Sequence, residues 1–182
     1  MNSTSVATLI SSIFEPMVVV YALAILAGIR VGESHWYFGY IALLVVVGII
    51  ARLYFKLKDK TNWDISDRKK RIVPLLFLVG ILCIQMIVIM QFNNVELISL
   101  YWMFLWWVVG FFLLTLKIKV SGHLSILTLA VCQFIWWYGN SILWLVLFIP
   151  LLSWSRVLLK RHTIREVIVG ICYSSIVFLW LN

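Results

Sequence analysis

Charged side chains are scarce in this chain: Asp, Glu, Lys and Arg make up 12% of it, against 64% for the hydrophobic residues. A soluble domain is roughly 45–50% apolar and could not hide so much apolar surface from water. A water-soluble globule is therefore excluded, and lipid is the expected solvent. Cysteine is sparse as well. Cys83, Cys132 and Cys172 each sit inside an apolar run with no CxxC spacing, so they read as small packing residues rather than as a disulfide framework or a zinc site. A cleavable leader is not expected, because Glu15 and Pro16 interrupt the first apolar stretch and no basic segment precedes it. Internal repeats and low-complexity tracts are also lacking.

What the chain has is long apolar runs. A membrane crossing needs about 20 residues, fewer when polar ends reach the interface, and seven candidates stand out: 16–31, 37–55, 72–90, 95–116, 124–138, 142–153 and 164–181. Pro16 suits the first turn of a helix, where its missing N–H costs nothing. Residues 1–15 then form a leader that would lie at the membrane interface, and 16–182 a single transmembrane bundle. The runs 124–138 and 142–153 could form one helix, but it would be roughly 45 Å long against a hydrocarbon core of about 30 Å. Gly139-Asn140-Ser141 is a turn signal in its middle. The expected fold is all-α, a polytopic transmembrane helix bundle of six to seven spans.

Basic residues outnumber acidic ones by 15 to 7. With seven spans, every Lys and Arg except Arg30 falls on one face, which the positive-inside rule makes cytoplasmic. Three polar segments meet there: 56–74, 117–123 and 155–166. They hold two histidines, several cations and a carboxylate, an inventory suited to phosphoryl transfer: cations neutralise the phosphate oxygens, one imidazole attacks, another protonates the leaving oxygen. His162 and Glu166 are four residues apart and share a helix face, so the carboxylate can hold the imidazole in one tautomer. Arg156 closes the preceding span, where its fork of donors can reach the same anion. In Ser121-Gly122-His123 small residues let backbone approach an anion, and a helix starting there would aim free N–H groups at it.

Ser155-Arg156, then five residues, His162, three residues and Glu166 resembles the third signature of the type 2 phosphatidic acid phosphatase superfamily, S-R-x5-H-x3-D. Lys119-Val120-Ser121-Gly122-His123 resembles the second, P-S-G-H, with Val120 in place of the proline. The first signature, K-x6-R-P, is matched poorly: Arg71 is followed by Pro74 rather than by an adjacent proline, and Asp64 stands where the lysine belongs. The resemblance implies a membrane-embedded, metal-independent hydrolase without a cofactor, acting on a lipid phosphate or an isoprenyl diphosphate. It implies His162 as the nucleophile that forms a phosphohistidine, His123 as the acid for the leaving group, and Glu166 as the group that orients His162. Phosphate would be bound by Arg156, Arg68, Arg71, Lys119, Ser121 and Gly122. Glu166 is one methylene longer than the family's aspartate. The expected partners are a lipid substrate and the bilayer, with no nucleic acid.

Blander assignments stand beside these. His123 and His162 can also be read as interfacial histidines, a weaker reading than the catalytic one, the lysines of 56–71 as a solvated loop, and the tryptophans as interfacial belts. His35 falls on the opposite face and carries no chemistry. Two rival functions remain: a magnesium-dependent polyprenyl-diphosphate transferase suggested by Asp64 and Asp67, which lacks the second acidic cluster such a site normally uses, and a non-catalytic lipid-binding protein of the same fold.

Overall fold

The computed structural model describes residues 2–59 and 69–181, with the backbone alone at 52, 55–59 and 69. Asp64, Asp67 and Arg68 lie outside the described residues. The described chain is all-helical: α1 (Ser3–Ile13), α2 (Pro16–Val31), α3 (His35–Asp59), a short 3-10 turn (Lys69–Arg71), α4 (Ile72–Met90), α5 (Val95–Lys117), α6 (Gly122–Tyr138), a 3-10 stretch (Gly139–Leu147), α7 (Phe148–Leu158) and α8 (Ile164–Leu181). Each of the three prolines occupies a first turn: Pro16 opens α2, and Pro74 and Pro150 are the third residues of α4 and α7. At Pro16 the first-turn N–H has no partner within the helix, so proline sacrifices nothing there.

Four stretches among the described residues are long and apolar enough to cross a membrane: Ile72–Met90, Val95–Lys117, Gly122–Leu158 and Ile164–Leu181. The pair Ser3–Ile13 and Pro16–Val31, bent by 41°, would make a fifth if it acted as one. Large side chains such as Ile84, Ile87 and Leu179 point outward on these helices, as expected where the surrounding medium is lipid. This is a membrane protein.

The chain groups into two compact units, one of residues 1–20 with 119–182 and one of residues 21–118. In the second unit, α4 packs along α5, and α2 meets α3 through small residues. The Tyr37 ring lies against Gly28, where a Cβ would collide with it, and its hydroxyl donates to the Ala24 carbonyl at 2.9 Å. Ala24 and Gly28 are four apart on α2, and the absence of a side chain at Gly28 makes room for the Tyr37 ring. Arg30 and Glu96 pair at 3.0 Å, tying the end of α2 to the start of α5.

In the first unit, α6 ends at Gly139, whose φ of +68° suits a residue without a Cβ. The chain then doubles back, for Lys119 Nζ lies 3.0 Å from the Arg161 carbonyl oxygen. The apolar run 142–153, expected as α-helix throughout, begins instead in 3-10 geometry with a break at Ile142. A hydropathy pattern cannot foresee this, because it is blind to whether bonds close on the third or fourth residue. From α7 the chain turns again into α8, which runs parallel to α6: Ser121 N–H donates to the Glu166 carbonyl at 3.2 Å, and Ser125 and Ser174 share a buried hydroxyl bond of 2.6 Å further along. Leu124, Leu127, Val131, Leu152 and Val167 form the core of this unit.

Residues 3–13, expected to stand apart as an interfacial leader, pack against α7. Ala7 and Ser11, one turn apart on α1, are both buried. The Ser155 hydroxyl donates to the Ala7 carbonyl at 2.6 Å, and Phe14 meets Phe148 with ring centroids 5.0 Å apart. The buried Ala7 and Ser11 face accounts for the docking of α1 on α7.

Candidate functional site

The site is built where α7 stops and α8 begins. At the end of α7, Lys160 N–H donates to the Val157 carbonyl at 3.0 Å and Arg161 N–H to the Arg156 carbonyl at 3.1 Å. This pair of bonds is the Schellman arrangement, and it requires a left-handed residue between them. Lys160 takes that conformation, at φ 54°, where glycine is usual. His162 N–H adds a third bond to the same Arg156 carbonyl, at 3.3 Å. One residue later α8 starts with a reciprocal cap: Glu166 N–H donates to Thr163 Oγ1 at 3.3 Å, and Thr163 N–H to Glu166 Oε2 at 3.4 Å. T-x-x-E is a capping box, readable from the sequence but unread beside the His-x3-Glu spacing.

His162 lies between these two end-structures. Its Nδ1 lies 2.7 Å from Glu166 Oε2, and the side chain is only 1% exposed. The extra methylene of glutamate therefore does not prevent contact. The carboxylate at Nδ1 supports positive charge on the ring from behind, the arrangement in which an imidazole uses its Nε2 for chemistry. The same oxygen attracts Lys119 Nζ at 3.4 Å, which also donates to the Arg161 carbonyl at 3.0 Å. Lys119, expected to bind phosphate, thus joins the segment before α6 to the loop before α8.

Ser121 precedes the first residue of α6, and its side chain does not cap the helix. Its hydroxyl is buried and has no hydrogen-bond partner among the described residues. A buried hydroxyl left so is costly, and this one sits beside first-turn N–H groups that no side chain of Ser121 satisfies. Gly122 and half-buried His123 follow in the first turn. Since Ser121 is bonded to Glu166, the two histidines start parallel neighbouring helices from the same end. The close approach depends on Gly170, where a Cβ would lie 2.9 Å from the Ser121 carbonyl oxygen. Nothing in the local sequence marks Gly170, because its role is set by a segment far away in the chain.

Arg156 is buried, 2% exposed, and its Nη1 donates to Ser11 Oγ at 2.8 Å. Lys119, Ser121, Gly122, His123, Arg156, His162 and Glu166 all belong to one unit, whereas Arg71 ends the 3-10 turn before α4 in the other. Arg68 is outside the described residues. Among the described residues no three His, Cys, Asp or Glu side chains gather as a metal site would require.

No family model, curated protein or solved structure matches this chain. The site holds an imidazole backed by a carboxylate, a second imidazole on a neighbouring helix start, and cations and helix N–H groups suited to an anion.

Proposed function

We propose that this protein is a membrane-embedded lipid phosphatase, resembling the type 2 phosphatidic acid phosphatases, that hydrolyses a lipid phosphate or isoprenyl diphosphate through a phosphohistidine. The observation that carries it is the 2.7 Å contact of His162 Nδ1 with Glu166 Oε2, in a loop bonded to the helix start that bears His123. His162 Nε2 attacks phosphorus; the N–P bond forms as the bond to the leaving oxygen breaks, and His123 gives that oxygen a proton. Water then attacks the phosphohistidine, loses its proton to His123, and releases phosphate with His162 restored. Arg156, Lys119, Ser121 and Gly122 are the groups assigned to the phosphate oxygens. The reaction needs no metal in this scheme.

The fold proposed around this site is a multi-pass bundle of six to seven spans with the site on the cytoplasmic face. The doubling back of 122–158, seen in the Lys119–Arg161 contact, supports counting that stretch as two crossings. A lipid would keep its tail in the bilayer and bring its headgroup to the basic segments.

His162→Ala, purified in detergent, should lose phosphate release from phosphatidic acid, phosphatidylglycerol phosphate and farnesyl diphosphate while eluting as a folded protein. A chelator should leave the wild-type rate unchanged. Retained turnover in the variant would falsify the assignment, and chelator sensitivity would favour the magnesium-dependent transferase suggested by Asp64 and Asp67.

One observation favours a second reading. Glu166 Oε2 serves His162, Lys119 and the Thr163 N–H at once, and His162 is almost wholly enclosed. Such a knot can simply lock two helix starts in a non-catalytic lipid-binding protein. Acid-labile, base-stable phosphate trapped on His162 during turnover excludes that reading.

A further inference from the structure

Helix α1 is the least expected part of the first unit, and its contacts fall on the two residues that open the arginine-histidine stretch. Ser155 Oγ donates to the Ala7 carbonyl at 2.6 Å, and Arg156 Nη1 to Ser11 Oγ at 2.8 Å. Ala7 and Ser11 are one turn apart, so consecutive residues at the end of α7 address one turn of α1. All four are buried. Ser11 and Arg156 are 145 positions apart in the chain, so only tertiary packing brings them together.

A guanidinium is planar, and its five donors point in directions set by that plane. The aliphatic stem of arginine turns freely, and a donor fork recognises an anion only when the plane is held. A hydroxyl at Nη1 supplies that hold from the side of α1. We propose that Ser11 is a positioning residue: it fixes the plane of the Arg156 guanidinium, so that α1 completes the phosphate-binding site. This rests on the phosphatase reading. Ser11 touches neither phosphate nor the reacting atoms and acts through Arg156.

The test uses the full-length protein in detergent, with Ser11→Ala and Ser11→Cys. Cysteine keeps the volume and offers only a weak acceptor. The readouts are kcat/KM for phosphatidic acid and farnesyl diphosphate, the inhibition constant of orthovanadate, a phosphate mimic, and the melting temperature. Losing a hydrogen bond to a charged group corresponds to roughly ten- to hundredfold. Per folded molecule, both kcat/KM and vanadate affinity should fall by at least about tenfold in both variants, and the buried guanidinium left short of a partner should also lower the melting temperature without preventing folding. A packing role would lower the folded fraction, scale the rate, and leave the vanadate constant unchanged; that result overturns the inference. So does wild-type behaviour of either variant, or failure of both to fold, since Ser11 would then hold the fold rather than the guanidinium. Absence of turnover in the wild type is a separate outcome, which removes the phosphatase reading and this inference together.

Discussion

Glu166 is the residue on which most of the local chemistry converges, and its side chain, 19% exposed, is placed by its own helix start. Glu166→Gln keeps the size and much of the cap but withdraws the charge that supports an imidazolium. Its kcat should fall by about 10³–10⁴, the scale seen when the acid behind a catalytic imidazole is neutralised, with little change in thermal stability. A drop in stability without a drop in kcat per folded molecule would mean that the carboxylate only caps α8. Lys160 offers a test of backbone strain. An L-residue in the left-handed region costs roughly 1–2 kcal/mol, and glycine pays none of that steric cost. Lys160→Gly should therefore match or exceed the wild type in thermal unfolding, whereas Lys160→Val should fall below it; the reverse order would rule out the Schellman geometry. The nearness of His162 and Glu166 was legible from their spacing, but not its cause: His162 lies before α8, which starts at Ile164, so the two meet across the Thr163 cap and not along one helix face. The duties of Lys119 and Ser11 were not legible, since each depends on a carbonyl or guanidinium distant in the chain.

Helix starts and crossings decide how these residues meet. Parallel packing of α6 on α8 requires Gly170, with room for no more than a hydrogen against the Ser121 carbonyl. Gly170→Ala should destabilise the protein by about 1–3 kcal/mol, the usual range for overpacking. Displacing the start of α6 by even about 1 Å should cost turnover about a hundredfold. Gly80 on α4 meets nothing within 4 Å and serves as the control: Gly80→Ala should be neutral or slightly stabilising, as helix propensity favours alanine. Equal melting temperatures for the two variants would contradict the close approach. At this scale the sequence was informative about where helices begin and end, through Pro16 and Gly139. It was silent on the 3-10 stretch after Gly139, because apolar residues suit either helix type.

At the scale of the whole molecule, the question is how many times the chain crosses the bilayer. Length and composition alone mark four stretches, and the proposed count of six to seven treats 122–158 as a descending and a returning segment. With the native cysteines replaced, single cysteines at Lys160 and Asn140 should react with a membrane-impermeant thiol reagent from opposite sides, Lys160 from the cytoplasm. Labelling of both from one side would reduce the count and undo the topology argued from the positive charges.

The sequence by itself determined the solvent and the class of the fold, because hydropathy is a sum over neighbouring residues that no later packing can reverse. It also placed His162 and Glu166 four residues apart around the T-x-x-E cap that opens α8, a local arrangement. Only the tertiary structure decided that α1 docks on α7, that Gly170 admits the start of α6, and that Ser11 meets Arg156 across 145 positions. Those are contacts between segments whose sequences carry no mark of one another, chosen by shape and by the need to satisfy buried donors in a medium that offers none.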